Sequence, residues 1–246
     1  FELYIVTAFL TSLISLIILR SLAIKFNLVD YPSERKTHTG NIPLTGGLSV
    51  FLGILVSHLF FIEFHQFSSV LVITASLILF HGVWDDFVNL KAQTKIAFQV
   101  FVSVIMIYVT DVKLESLGDL FGISYPFQLG IFSFPITIIA VIALTNAINM
   151  IDGLDGLAAG IILLAIIGLI CFNLTPKFSP ITCILLATAS ALLPFIIFNI
   201  ASYTKFKVFL GDGGSLFLGY FISWSLIHSA ENIDNFTPSF ALWCVA

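Results

Sequence analysis

Apolar runs close to twenty residues long alternate with short polar tracts along the whole chain. The runs cover about 3–24, 42–62, 67–84, 93–110, 131–151, 157–174, 180–200 and 213–230, and a ninth begins near Phe240. A helix rises 1.5 Å per residue, so roughly 20 apolar residues cross a bilayer. Backbone groups in lipid must be satisfied within the element, and these runs do not alternate as strands of a membrane barrel would. The pattern predicts an all-α, polytopic membrane helical bundle of about eight transmembrane helices, forming one domain over 1–246.

Composition sharpens the class. The 246 residues are 59% hydrophobic and 10% charged, whereas a soluble domain is nearer a quarter charged. The net charge of −4 is too small to indicate a partner, and no basic patch suggests nucleic acid. Cys171, Cys183 and Cys244 form no CxxC pair and lie in apolar runs, so they are expected to fill the core. The first run has neither a basic segment before it nor a small-residue cleavage site after it, and it reads as a span. The chain starts at Phe1 and stops within the apolar ALWCVA, so a longer native protein, truncated here at the C-terminus, is expected.

The basic residues set an orientation. Odd-numbered loops and their flanking helix ends hold Arg20, Lys25, Arg35, Lys36, Lys91, Lys95, Lys205 and Lys207; even-numbered loops hold only Lys113 and Lys177. Acidic residues divide evenly. The positive-inside rule then places the odd loops in the cytoplasm and the N-terminus outside. The connection Asp111 to Gly130 is external, either a surface segment or a short hairpin.

Four polar clusters all fall in the odd loops: YPSERKTHTGNIPLTGG (31–47), WDDFVNLKAQTK (84–95), NAINMIDGLDG (146–156) and KVFLGDGGS (207–215). Asp85 and Asp86 close a span, where a solvated boundary is the plain reading. A helix C-terminus carries partial negative charge, however, and adjacent carboxylates repel, so the pair suggests a cation or proton to handle. Asp212 precedes the eighth run, where Asp is a favoured N-cap. Gly211, Gly213 and Gly214 around it permit unusual backbone angles and close ligand approach, and a helix N-terminus binds phosphate. A carboxylate there suggests a divalent metal between the two.

Asn146, Asn149, Asp152 and Asp155 are spaced by three, so an unbroken helix would scatter them. Gly153 and Gly156 predict a helix ending near Met150, a tight turn, and a helix from Leu157. An Asx-turn loop explains Asp152 or Asp155 but not Asn149, one turn inside the helix. Arg35, Lys36 and His38 either hold phosphate or simply obey the positive-inside rule. Lys95 and Gln99 share one face of the fourth run; Lys95 either snorkels or meets an anionic headgroup. Neither the EF-hand nor the P-loop pattern is present.

In chain order, ERKTHTGNIPLTGG, WDD, NAINMIDGLDGLAAG and FLGDGGS resemble the polyprenyl-phosphate N-acetylhexosamine-1-phosphate transferases, over about residues 30–220. The resemblance implies Mg²⁺, or Mn²⁺, as cofactor, with Asp212 as metal ligand and Asn149 beside the metal. It implies catalytic roles for Asp85 and Asp86. Asp152, Gly153 and Asp155 would contact the nucleotide sugar, Lys95 would meet phosphate, and Asn146 and His38 join the substrate-binding set. The implied reaction moves N-acetylhexosamine-1-phosphate, above all N-acetylglucosamine-1-phosphate, from a UDP-sugar to undecaprenyl phosphate with release of UMP, by direct attack or through a covalent aspartyl phosphate. It would start cell-envelope polysaccharide synthesis of the O-antigen, enterobacterial common antigen or teichoic acid type, at the cytoplasmic face of the bacterial inner membrane. NIPLTGG and NMIDGLDG favour this branch over the muramyl-pentapeptide branch; another UDP-N-acetyl-deoxyhexosamine is an alternative. Expected partners are the UDP-N-acetylhexosamine, undecaprenyl phosphate, the bilayer and a second copy of the chain. Family members add a histidine-rich cytoplasmic loop after a ninth span, beyond the end of this chain. A transporter or a non-catalytic scaffold are the competing classes, although transporter sites sit near the bilayer midplane.

Overall fold

The computed structural model describes residues 2–32, 40–61, 64–118, 127–173, 179–200 and 206–232. These form the helices α1 (Glu2–Lys25), α2 (Gly46–Phe61), α3 (Gln66–Val88), α4 (Ala92–Thr110), α5 (Ser133–Ile151), α6 (Leu157–Phe172), α7 (Pro180–Ile200) and α8 (Gly211–Asn232). Each sits on one of the eight apolar runs, and the protein is an all-α, multi-pass membrane protein. Five helices, α1, α3, α4, α5 and α7, meet the length and apolarity needed to cross a bilayer. The remaining three differ from a plain span. At 16 residues each, α2 and α6 are about 24 Å long. Helix α8 is the centre of the bundle, buried without interruption from Gly213 to Ile227.

Helix α8 is reached through glycines. A Cβ on Gly82 of α3 would lie 2.5 Å from Gly213 Cα, and one on Gly47 of α2 would lie 2.2 Å from Gly214 Cα. On the α5 side, a Cβ on Gly219 would meet Thr145 Cα at 2.9 Å. Small residues let backbones approach where no hydrophobic force acts between helices in lipid. Gly213 and Gly214 therefore serve helix packing, a correction to their expected role in close ligand approach. Around them Phe217, Tyr220, Phe221 and Trp224 fill the core.

A small backbone ladder ties the first polar cluster to the last. Strands β1 (Val29–Asp30) and β2 (Ile42–Pro43) pair antiparallel, with Val29 opposite Pro43. Phe209 N–H donates to Pro43 O at 2.9 Å, Gly46 N–H to Phe209 O at 2.9 Å and Gly47 N–H to Leu210 O at 3.1 Å. The pairing consumes residues 42–45, so α2 starts at Gly46 and not at the start of its apolar run. At the opposite end, Leu117 and Gly118 pair with Phe127, the hairpin reading of the external connection. Cys183 is half-buried, but Cys171 is exposed on the bundle exterior, contrary to its expected core position. Cys244 and the ninth run lie outside the described residues.

Candidate active site

The α3–α4 turn places the first two charged groups. Helix α3 continues through both aspartates to Val88, then Asn89 takes a left-handed conformation with φ 53° and its N–H bonds Asp85 O at 2.8 Å. The chain reverses, and Leu90 N–H donates to Asp85 Oδ1 at 2.7 Å. The first turn of α4 then brings Lys95 Nζ to Asp85 Oδ2 at 2.6 Å. Asp85 is 1% exposed, so both carboxylate oxygens are committed within the protein. Lys95 also lies 3.8 Å from Asp212 Oδ2 and so links two of the clusters.

Asp86 goes elsewhere. Its Oδ1 accepts the Asp212 N–H at 3.0 Å and its Oδ2 the Gly213 N–H at 3.3 Å. The carboxylate thus sits on the N-terminus of α8, where the helix dipole is positive. Two expectations change. The cap of α8 is Asp86 from another helix, not Asp212, and the amides expected to receive substrate phosphate already hold a carboxylate. Gly211, with φ +76°, makes room: a Cβ there would stand 2.9 Å from Asp86 Oδ2. The two carboxylates at the negative end of α3 are now accounted for. One meets an ammonium, and the other meets a helix end of opposite sign.

Helix α5 delivers Asn149 to the same place. Its Nδ2 donates to Asp212 Oδ1 at 3.1 Å and to Ser215 Oγ at 2.8 Å. Asn146, one turn back, donates instead to Gln99 Oε1 of α4 at 2.7 Å. Helix α5 ends at Ile151, and Gly156, with φ +73°, precedes α6 at Leu157, as the glycines predict. The turn between them is held by a residue the sequence reading did not single out. Asn199 of α7 accepts the Gly156 N–H at 2.5 Å and donates to Val208 O at 2.9 Å, clamping the turn to the segment entering α8. Nothing in its local pattern, FIIFNI, separates it from a helix-end asparagine.

The turn residues separate in space. The Asp155 carboxylate is ion-paired with Lys207 at the exposed rim and is not part of the cluster around Asp212. Open space surrounds the Gly153 position. Asp152 is half-buried, and its pKa is pushed up to about 7 by burial, with the negative charges of Asp212, Asp86 and Asp155 adding to it. His38, with Arg35 and Lys36, lies outside the described residues.

The electrostatic balance is one-sided. Among the described residues, Lys95 is the cation that meets Asp85 and Asp212, with the Asp86 and Asp152 carboxylates close by. A cluster of hard oxygen donors suits a small divalent cation, which would relieve the repulsion that adds to burial in raising Asp152. Among the described residues no three Asp, Glu, His or Cys side chains form a ready-made metal cage. The side chain of Asp212 is 45% exposed, whereas Asp85 beside it is buried.

Residues 68–230 match the profile of glycosyl transferase family 4. The chain is similar to the undecaprenyl-phosphate alpha-N-acetylglucosaminyl 1-phosphate transferase of Yersinia pestis, at 34% identity over 97% of this chain and 66% of that protein. The protein of the same name from Escherichia coli strain K12 is 34% identical over 98% of this chain and 66% of its own length. A probable undecaprenyl-phosphate N-acetylglucosaminyl 1-phosphate transferase of Bacillus subtilis strain 168 is 36% identical over 89% of this chain and 61% of its own. The chain spans about two thirds of the length of the first two relatives. With Asp85, Asp86, Asn149 and Asp212 gathered at one end of the bundle inside the matched region, the chain belongs to glycosyl transferase family 4.

Proposed function

We propose that the protein transfers N-acetylglucosamine-1-phosphate from UDP-N-acetylglucosamine to undecaprenyl phosphate, releasing UMP, at the cytoplasmic face of a bacterial inner membrane. The observation that carries the reading is the convergence of Asp85, Lys95, Asn149, Asp152 and Asp212, from four helices and a turn, at one end of a membrane bundle. A site there meets lipid on one side and a water-soluble nucleotide on the other. The names of the relatives support the substrate pair.

A phosphate oxygen of the lipid attacks the β-phosphorus of the UDP-sugar; the anhydride bond to the α-phosphate breaks, and UMP leaves with the bridging oxygen. Two anions must meet, so charge neutralisation dominates. Lys95, held between Asp85 and Asp212, would take the lipid phosphate. Asp85 orients that ammonium and is itself fixed by Leu90 N–H. The second pKa of a phosphate monoester is about 6, so the lipid is largely dianionic at neutral pH and needs little help from a base. Asp212 and Asn149 would hold Mg²⁺, or Mn²⁺ in its place. The metal would supply a Lewis acid that polarises a phosphoryl oxygen. Asp152 and Asp155, on the turn beside this cluster, would face the uridine end. The product would open an envelope polysaccharide of the O-antigen, enterobacterial common antigen or teichoic acid type, and a homodimer is the proposed assembly.

The test uses membranes carrying the protein, a panel of radiolabelled UDP-sugars and added undecaprenyl phosphate. Label from UDP-N-acetylglucosamine should pass into the lipid fraction only when the acceptor is added. Transfer of another UDP-sugar in its place would move the assignment within the family; transfer of none would overturn it.

A further inference from the structure

The aspartate pair divides into two jobs. We propose that Asp86 is a positioning residue: it caps α8 and thereby sets Asp212, while the charged contact with substrate belongs to the Asp85–Lys95–Asp212 group. This rests on the transferase reading above and assigns a role within it.

Both oxygens of Asp86 are used. They accept the N–H groups of Asp212 and Gly213 in the first turn of α8. These amides have no acceptor within their own helix. The contact spans 126 residues of sequence and fixes the end of α3 to the start of α8 at the point where Asp212 leaves the backbone. Three further features serve the same contact. Gly211 adopts φ +76° and carries no Cβ to strike Asp86 Oδ2. Gly82 and Gly213 bring the two helix backbones together one turn away. Ser215 Oγ closes the turn from inside, donating to Gly211 O at 3.1 Å and to Asp212 O at 3.3 Å. Asp85, by contrast, accepts from Lys95 Nζ and Leu90 N–H and meets α8 at the Asp212 side chain, not at its backbone amides. One lone pair on each Asp86 oxygen is engaged by an α8 amide, so the carboxylate is oriented by backbone and not by a substrate-facing side chain.

A cap and a base respond differently to Asp86→Asn. Asparagine caps helices about as well as aspartate and keeps one acceptor oxygen, but it cannot take a proton. For the purified full-length protein with UDP-N-acetylglucosamine and undecaprenyl phosphate, Asp86→Asn should keep kcat within about tenfold of the parent with an unshifted pH profile, whereas loss of a general base costs about 10²–10⁴-fold. Asp86→Ala should fall well below Asp86→Asn. Gly211→Ala, which displaces the carboxylate, should be non-additive with Asp86→Ala. Hydrogen exchange adds a readout independent of turnover: the amide of Asp212 should exchange faster in Asp86→Ala and remain protected in Asp86→Asn, whose single oxygen can still accept it. If Asp86→Asn folds, keeps that protection and is as inactive as Asp86→Ala, the proposal is overturned, whether or not Asp86→Ala accumulates. An inactive parent would instead count against the transferase reading and leave the exchange result to decide the cap.

Discussion

Lys95 is the residue on which the charged cluster turns. Removing it leaves Asp85, 1% exposed, without its cation. Breaking a buried pair from one side costs about 3–5 kcal/mol; because Lys95 is 26% exposed, solvent screening reduces the expected loss to about 1–3 kcal/mol. Lys95→Met should therefore lower both thermal stability in detergent and turnover. Adding Asp85→Asn should restore much of the stability and none of the activity; a double variant no more stable than Lys95→Met would refute the pairing. Asp152 supplies a pH dependence. Its folded pKa of about 7 stands above the unfolded value near 3.9, so the native state holds a proton that the unfolded chain has lost. Stability contributed by this group is full below about pH 4 and is lost as pH rises through about 7. Melting curves at pH 5 and pH 8 should differ less in Asp152→Asn than in the parent; an equal difference would remove Asp152 as the cause.

At the scale of the elements, α8 decides the architecture, and its glycines decide α8. Gly82→Val should force α3 from α8, because even a Cβ meets Gly213 Cα at 2.5 Å. Loss of activity and a lowered melting temperature are expected together. Gly160→Ala and Gly168→Ala in α6, where nothing stands within 4 Å, are the contrast. They should be neutral or stabilise by up to about 1 kcal/mol, as alanine costs less than glycine in a helix. Equal effects at Gly82 and Gly168 would mean that close packing at α8 is not what holds the bundle. Helix positions were legible because a twenty-residue apolar run admits one structure in lipid, and the break at Gly153 and Gly156 was legible because residues spaced by three cannot share a face. The partners of Asp86, Gly213 and Asp155 were not. Each contact crosses from one helix to another far along the chain, as from Asp86 to Asp212 or from Asp155 to Lys207, and no local period encodes which helix lies opposite. The same limit hid Asn199, whose role exists only once α7 lies beside the turn before α6.

For the molecule as a whole, the gathering of the polar clusters was expected from loop parity alone. Asp85, Asp86, Lys95, Asn149 and Asp212 do meet at one end, and the hairpin of Leu117 and Phe127 lies at the other. The basic bias would turn the first end to the cytoplasm. Cysteine introduced in place of Leu154, 69% exposed in the α5–α6 turn, should react with an impermeant maleimide only after the membrane is opened, provided Cys171 is replaced. Cysteine at Gln128 should react in intact cells; the reverse pattern would invert the orientation.

In the proposed function, Asp212 anchors a phosphoryl-transfer site in this cluster. Release of UMP from UDP-N-acetylglucosamine, measured with and without undecaprenyl phosphate for the parent and for Asp212→Asn in the same membranes, tests it most directly. UMP release should require the lipid acceptor and fall at least about a hundredfold in Asp212→Asn, with membrane insertion unchanged, on the order of other lost electrostatic contacts to a transition state. Full activity in Asp212→Asn, or UMP release indifferent to the lipid, would contradict it.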